Sequence, residues 1–292
     1  MSDTPSHTYD RSSTALASDE SASSDALVID GEVIAGRLWL GSSMYRSPDC
    51  MLQALDAGQP GFVTASARRQ TARQITDNGY WGCLEQWLGQ SQQQGKARIL
   101  PNTAGCNSAS EAVLLANMTR ELFETDWIKL EVIGDDYTLQ PDPFELLEAA
   151  RELNRQGFKV LPYCTEDLVL CQKLLDVGCP AVMPWGAPIG TGRGLQNIAG
   201  LMTLRERLQD AVIVIDAGLG KPSQAAQALE LGFDAVLLNT AVAHSPDPVA
   251  MAKAFAGAVE AGRTAHIAGL MAERDSAQAS TPVLDMPFWH QK

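Results

Sequence analysis

Trp127-Ile128-Lys129-Leu130-Glu131-Val132-Ile133-Gly134 decides how the rest of the chain is read. As a strand it places Ile128, Leu130 and Val132 on one face, with Lys129, Glu131 and Ile133 on the other. Two positions along a strand span about 6.6 Å, so the amine and the carboxylate are neighbours pointing the same way. On an outward face they would form a surface ion pair worth at most ~1 kcal/mol. Facing into a closed barrel, the lysine would stand where desolvation depresses its pKa and favours the neutral nucleophile. The carboxylate beside it could then move protons. The surrounding pattern selects between the two.

Seven further apolar runs share the character of this one. In chain order the eight are Leu38–Gly41, Gly61–Ala65, Arg98–Pro101, Trp127–Ile133, Phe158–Pro162, Ala181–Pro184, Val212–Asp216 and Ala235–Asn239. They are rich in Val, Ile and Leu without polar alternation, as strands covered on both faces are. Helix signals fill the gaps. Ser108 and Glu111 form a capping box ahead of Leu114, Met118 and Leu122 at four-residue spacing. Asp142 caps a helix that opens on Pro143 and carries Leu146, Ala150 and Leu153 on one face. Pro222 opens another helix, and Gly157, Gly178 and Gly232 stand where left-handed helix ends belong. Eight strand-helix units predict an α/β fold, a (β/α)8 TIM barrel over residues 33–272. The competing doubly wound sheet normally carries a glycine fingerprint after its first strand, and Gly41-Ser42-Ser43-Met44 is not one.

In such a barrel the chemistry lies at the C-terminal strand ends. Those ends bring Asn102-Thr103-Ala104-Gly105 to the rim, then Lys129 with Glu131, then Tyr163-Cys164. Gly186 to Gly194, Asp216-Ala217-Gly218-Leu219-Gly220 and Asn239-Thr240-Ala241 complete it. Small residues admit close approach of an anion to backbone N–H groups, and the last two strand-helix loops are the usual phosphate seat of the fold. The spacing Gly190-x-Gly192-x-Gly194 fits neither a dinucleotide fingerprint nor a P-loop, so a sugar phosphate is expected rather than a nucleotide. A buried amine, the carboxylates Glu131 and Asp216, and a phosphate cradle together describe imine chemistry on a phosphorylated keto sugar. Taken alone, Asp216 would more often hold its own turn, and Lys129 would more often reach past the strand end to water.

Composition narrows the class of protein. A formal charge of −13 over 292 residues disfavours nucleic acid, and Arg68, Arg69 and Arg73 are the only notable basic cluster. No run of 18 apolar residues suggests a membrane span. The six cysteines show no C-x-x-C spacing and are expected as reduced thiols in a cytoplasmic protein, with no metal site. Residues 1–32 are expected to form a disordered tail: the first 30 hold eight serines and five aspartates among isolated apolar residues. The segment lacks the apolar stretch of a signal peptide and is too acidic for a mitochondrial transit peptide. Residues 273–292 are read as a C-terminal tail.

At these residues the sequence resembles the thiazole synthase family of thiamin biosynthesis. The segments that carry the likeness begin with Leu100-Pro-Asn-Thr-Ala-Gly-Cys106, Ile128-Lys-Leu-Glu-Val-Ile133 and Val160-Leu-Pro-Tyr163. They continue with Met183-Pro-Trp-Gly-Ala-Pro-Ile-Gly-Thr-Gly192, Val214-Ile-Asp-Ala-Gly-Leu-Gly220 and Val236-Leu-Leu-Asn-Thr-Ala241. The likeness spans roughly Gly36 to Pro282. It implies condensation of 1-deoxy-D-xylulose 5-phosphate with dehydroglycine and with sulfur from the C-terminal thiocarboxylate of a small sulfur-carrier protein. Lys129 would be the Schiff-base lysine, and Glu131 and Asp216 the acid/base carboxylates. Gly190, Ala217, Gly218, Asn239 and Thr240 would hold the phosphate. No cofactor or metal is implied, and a homo-oligomer is expected. Departures stand at Gly41-Ser-Ser-Met-Tyr45, where the family reads Gly-Thr-Gly-Lys-Tyr, at Thr64-Ala-Ser-Ala-Arg-Arg69, and at Trp185. The alternatives are a Schiff-base aldolase on the same barrel and a non-catalytic phosphate-binding scaffold for the carrier.

Overall fold

The computed structural model describes residues 25–66 and 79–278. Eight parallel strands close into a barrel: β3 (Leu38–Gly41), β4 (Phe62–Ser66), β5 (Arg98–Asn102), β6 (Trp127–Leu130), β9 (Lys159–Cys164), β10 (Ala181–Pro184), β11 (Val212–Asp216) and β12 (Ala235–Leu238). They run in that order around the circle, with β12 paired to β3. The helices are α1 (Pro48–Gly58), α2 (Tyr80–Gln93), α3 (Ala109–Phe123), α4 (Pro143–Arg155), α5 (Leu168–Asp176), α6 (Ile198–Arg207), α7 (Pro222–Glu230), the short α8 (Thr240–Ala243) and α9 (Pro248–Ala268). The expected TIM barrel is thus present, and all eight expected strands are its staves.

Alternation along each strand splits the core into two layers. Outward residues such as Leu40, Val63, Ile128, Leu130 and Ile215 pack against the helices. Inward residues Trp39, Phe62, Leu100, Trp127, Leu161, Met183 and Val214 fill the barrel's lower end. Trp39, Phe62 and Trp127 meet edge to face, with centroids 4.8 and 5.2 Å apart. This plug leaves only the upper barrel for polar groups, and Lys129 lies one inward step above Trp127.

Below the plug lies a feature absent from the sequence expectations. The strands β1 (Leu27–Ile29) and β2 (Glu32–Ile34) form an antiparallel hairpin. Leu27, Ile29 and Ile34 are buried against the lower layer. Asp25 is clamped by Arg37 at 3.0 Å and Arg263 at 2.5 Å, and Glu32 pairs with both Arg98 and Lys159. Residues 25–32 therefore belong to the barrel's closure rather than to a tail; residues 1–24 lie outside the described residues. Ile29 is 1% exposed, so Ile29→Ala should destabilise the fold by about 2–4 kcal/mol, read as a lowered urea midpoint.

Other details depart from expectation. The strand expected to reach Ile133 ends at Leu130, because Ile133 opens a second hairpin, β7 (Ile133–Asp135) with β8 (Gln140–Pro141). The helix α3 presents Ala109, Ala112, Leu115, Ala116 and Thr119 to the barrel. Leu114 and Met118, expected on the packed face, are 66% and 58% exposed. Small side chains let α3 sit close to the strands, which turns its large apolar stripe outward. Its N-cap uses Ser108 on the Glu111 N–H as expected, while the Glu111 carboxylate accepts from Asn107 N–H. At α4, Asp142 caps and Leu146, Ala150 and Leu153 are buried, as expected. Gly157 and Gly178 hold φ of +81° and +103° just past their helices. All six cysteines are free thiols. Beyond α9, residues 269–278 are exposed and carry no helix or strand. The cluster Arg68, Arg69 and Arg73 and the last residues from 279 lie outside the described residues.

Candidate active site

Lys129 leaves the penultimate position of β6 and points into the barrel, where its side chain is 7% exposed. Glu131 follows on the same side, one residue beyond the strand. Asp216, the last residue of β11, comes from the far side of β9 and β10. The Lys129 ammonium lies 2.6 Å from Asp216 Oδ2 and 3.3 Å from Glu131 Oε1. The strand alternation sets the expected Glu131 beside Lys129, and closure of the barrel brings the expected Asp216 to its other side. The inward option for Lys129 holds.

Its protonation does not follow the sequence expectation. Burial alone depresses the pKa of Lys129, but the charges and hydrogen bonds of Asp216 and Glu131 outweigh it, and the net shift is upward. Asp216 behaves differently: burial raises it to about 6, against the attraction of Lys129 and with the repulsion of Glu131. The asymmetry is a matter of partners. Lys129 has two opposite charges beside it, whereas Asp216 has one opposite and one like charge. The resting site thus holds an ammonium beside a carboxylate that takes up protons more readily than usual. The Tyr163 ring lies 5.7 Å from the ammonium, and its hydroxyl is pushed up by burial and by both carboxylates.

The triad lines a cavity of about 750 Å³ at the C-terminal end of the barrel. Gly190, Ala217, Gly218, Asn239 and Thr240 line the same cavity. Every site residue expected from sequence is therefore in one place. The wall continues through Ser42, Ser43 and Met44 after β3 and through Tyr80, Trp81 and Leu84 of α2. These last three escaped sequence reading. Only the aromatic pair Tyr80-Trp81 signalled them, and such pairs more often mark core.

The five seat residues do not play equal parts. The Ala217 N–H is committed to Leu237 O at 3.2 Å, and Asn239 Nδ2 donates to Ser43 Oγ at 2.8 Å. Gly41 has no side chain because one would meet Asn239 at 2.5 Å. The loops after β10 and β11 interlock: Gly186 N–H donates to Ala217 O at 3.3 Å and Gly194 N–H to Gly218 O at 2.8 Å. Gly218 holds φ +78°, and an added Cβ would fall 2.4 Å from Ala187 N. Its smallness serves the contact between loops, so a Val there would separate them as well as crowd a ligand. Gly190, with φ +77° and open space around an added Cβ, and Thr240 at the start of α8 are the freer donors toward the cavity.

A closed parallel barrel whose rim cavity holds a lysine between two buried carboxylates defines an enzyme of the (β/α)8 class. The family described as thiazole biosynthesis protein ThiG matches residues 28–282. Thiazole synthase of Ralstonia pickettii strain 12J is 59% identical over 271 residues, covering 92% of this chain and 96% of that protein. That of Paracidovorax citrulli strain AAC00-1 is 58% identical, covering 93% and 98%. Among solved structures, the Amycolatopsis orientalis BexX/CysO complex aligns with a TM-score of 0.72 at 26% identity, over 86% of this chain and 98% of that one. The thiamine phosphate pyrophosphorylase of Pyrococcus furiosus, at 12% identity, TM-score 0.52 and coverage of 78% and 98%, shares the fold. The chain belongs to the ThiG family. It is a thiazole synthase, an enzyme of thiamine biosynthesis.

Proposed function

We propose that the chain condenses 1-deoxy-D-xylulose 5-phosphate with dehydroglycine and carrier-borne sulfur through an imine on Lys129. The observation that carries this is the Lys129 ammonium, buried 2.6 Å from Asp216 and 3.3 Å from Glu131 in the cavity floor. The phosphate sits against Gly190, Gly218 and Thr240, with Ala217 and Asn239 shaping the seat. Anchoring there holds the ketone near the amine and removes much of the entropic cost of condensation. Asp216 accepts the proton that Lys129 must lose, the free amine adds to the ketone, and water departs to leave the imine. Glu131 and Asp216 then move protons between neighbouring carbons as the imine tautomerises, which prepares one for sulfur.

The cavity, about 750 Å³, exceeds a five-carbon sugar phosphate and leaves room beside it. We assign that room to dehydroglycine and to the thiocarboxylate end of a small sulfur-carrier protein. The likeness to BexX, which was solved with CysO, supports a protein partner. The outward stripe of Leu114, Met118 and Leu122 supports a homo-oligomer. We place the enzyme in the cytoplasm, in keeping with its free thiols. Among the described residues, no helix is long and apolar enough to cross a membrane.

The test is trapping. Incubation with deoxyxylulose phosphate and borohydride should add the mass of the reduced sugar-phosphate imine to the intact chain. Sugar-phosphate binding without an adduct would instead support the scaffold, and cleavage of a small aldehyde adduct the aldolase. For the seat, Thr240→Val should weaken sugar-phosphate binding about tenfold, the loss of one hydrogen bond to a charged group. The variant keeps the Thr240 N–H, so calorimetry showing unchanged affinity would remove the hydroxyl from the seat and leave the backbone N–H groups to hold the phosphate.

A further inference from the structure

We infer that Thr103 is the positioning residue that sets Glu131 against Lys129. The inference rests on the acid/base role proposed for Glu131. Thr103 follows β5 and is fully buried. Its neighbours Asn102 and Ala104 line the cavity and it does not, so it acts without touching substrate.

The need for it arises from where the strand stops. β6 ends at Leu130, whose partner on β9 is Pro162, a residue with no N–H to offer. On the other side, β5 and β6 share the single register pair Asn102 with Lys129. Glu131 thus leaves the ladder at the point where its side chain must be placed. Both of its backbone groups are buried, where an unpaired polar group is costly.

One hydroxyl answers both. Thr103 Oγ1 accepts from Glu131 N–H at 2.8 Å and donates to Glu131 C=O at 2.8 Å. A hydroxyl has one hydrogen and can accept as well, so this clamp uses its donor completely. The Thr103 N–H also donates to Lys129 C=O at 3.2 Å. One residue therefore grips the backbone of both members of the pair. The loop extends the same splint onward: Ile133 N–H donates to Cys106 O at 2.8 Å, and Asn107 Nδ2 to Ile133 O at 3.1 Å. Grip on both sides of the Glu131 Cα fixes its Cβ direction, and with it the 3.3 Å approach to the ammonium. A purely structural hydroxyl would satisfy the same groups without affecting proton transfer by Glu131 in particular.

A double-mutant cycle separates the two on the full chain. Thr103→Val keeps the shape and removes the clamp; Thr103→Ser restores it; Glu131→Gln removes the carboxyl's acid/base function. Thr103→Val should lower kcat by roughly 10- to 100-fold, the scale of about 1 Å of misplacement. KM for deoxyxylulose phosphate should stay within about twofold, and Thr103→Ser should recover most of kcat. In the Glu131→Gln background, adding Thr103→Val should cost nothing further, because the group it places no longer transfers protons. Should Thr103→Val fail to fold, Thr103→Ala enters the same cycle. Equal losses in both backgrounds, or full activity of Thr103→Val, would overturn the inference. Wild-type turnover by Glu131→Gln would instead overturn the acid/base role on which it rests.

Discussion

Lys129→Ala should abolish both turnover and the borohydride-trapped adduct while leaving sugar-phosphate binding measurable. The phosphate seat is built from loops after β10, β11 and β12, none of which depends on the lysine side chain for its backbone hydrogen bonds. The covalent step has no substitute, because an alanine methyl cannot condense with a ketone. Lys221 is the informative control. It adjoins Gly220, which lines the cavity, yet it is exposed and caps α7 from outside. Peptide mass spectrometry should map the adduct to Lys129 in the native chain, and Lys221→Ala should retain it. An adduct on any other lysine would end the mechanism. The same variant carries a stability signature. Without the ammonium, Asp216 and Glu131 face each other as buried carboxylates, and the pKa of Asp216, already about 6, rises further. An unfolded aspartate titrates near 3.9, so between that value and the raised one the folded state holds more protons. Stability of Lys129→Ala should therefore fall as pH rises from about 4 through neutrality. The full cost of breaking a buried pair, about 3–5 kcal/mol, should show near pH 8. Urea midpoints at pH 5 and pH 8 read the difference.

How much of this was legible in sequence depends on the range of the interaction. The eight staves were readable because a parallel strand covered on both faces needs apolar residues throughout. Leu38–Gly41, Ala181–Pro184 and Val212–Asp216 coincide with the observed strands. The hairpin of residues 27–34 was not, because its strands are three residues long and merge with Ser- and Asp-rich sequence. Only the burial of Leu27, Ile29 and Ile34 reveals it. In α3 the periodicity was right and the facing wrong: Ala109, Ala112 and Ala116 repeat as regularly as Leu114, Met118 and Leu122, and close packing chose the smaller set. The expected site residues share one cavity because strand ends meet at one rim. The protonation of Lys129 could not be foreseen, since it turns on a 2.6 Å contact with a residue three staves away. Gly218 shows the same limit, its smallness answering to Ala187 across a loop interface.

Asp216→Asn should lower kcat by roughly 10²- to 10⁴-fold, the usual contribution of a positioned proton acceptor, and should change the pH profile in a way Glu131→Gln does not. The amine must be neutral to attack, yet the pKa of Lys129 is raised above that of an ordinary lysine. Solvent hydroxide is therefore a poor route to the free amine at neutral pH, and the proton goes to the carboxylate 2.6 Å away. That transfer requires Asp216 to be ionised. With its pKa at about 6, the acceptor is filled below that pH and open above it. In the native enzyme kcat/KM should accordingly fall about tenfold per pH unit below about 6. It should stay level through neutrality, with no rise from Lys129 until beyond the ordinary lysine range. Asparagine keeps the size and one carbonyl acceptor but cannot take up the proton. In Asp216→Asn the residual activity should lose the acid limb near 6, and imine trapping should slow with it. Glu131→Gln should keep an acid limb, moved below 6 because the Glu131 charge that helps raise Asp216 is gone, while its loss of rate falls on the later proton shifts. An acid limb that survives in Asp216→Asn and vanishes in Glu131→Gln would reverse the two roles.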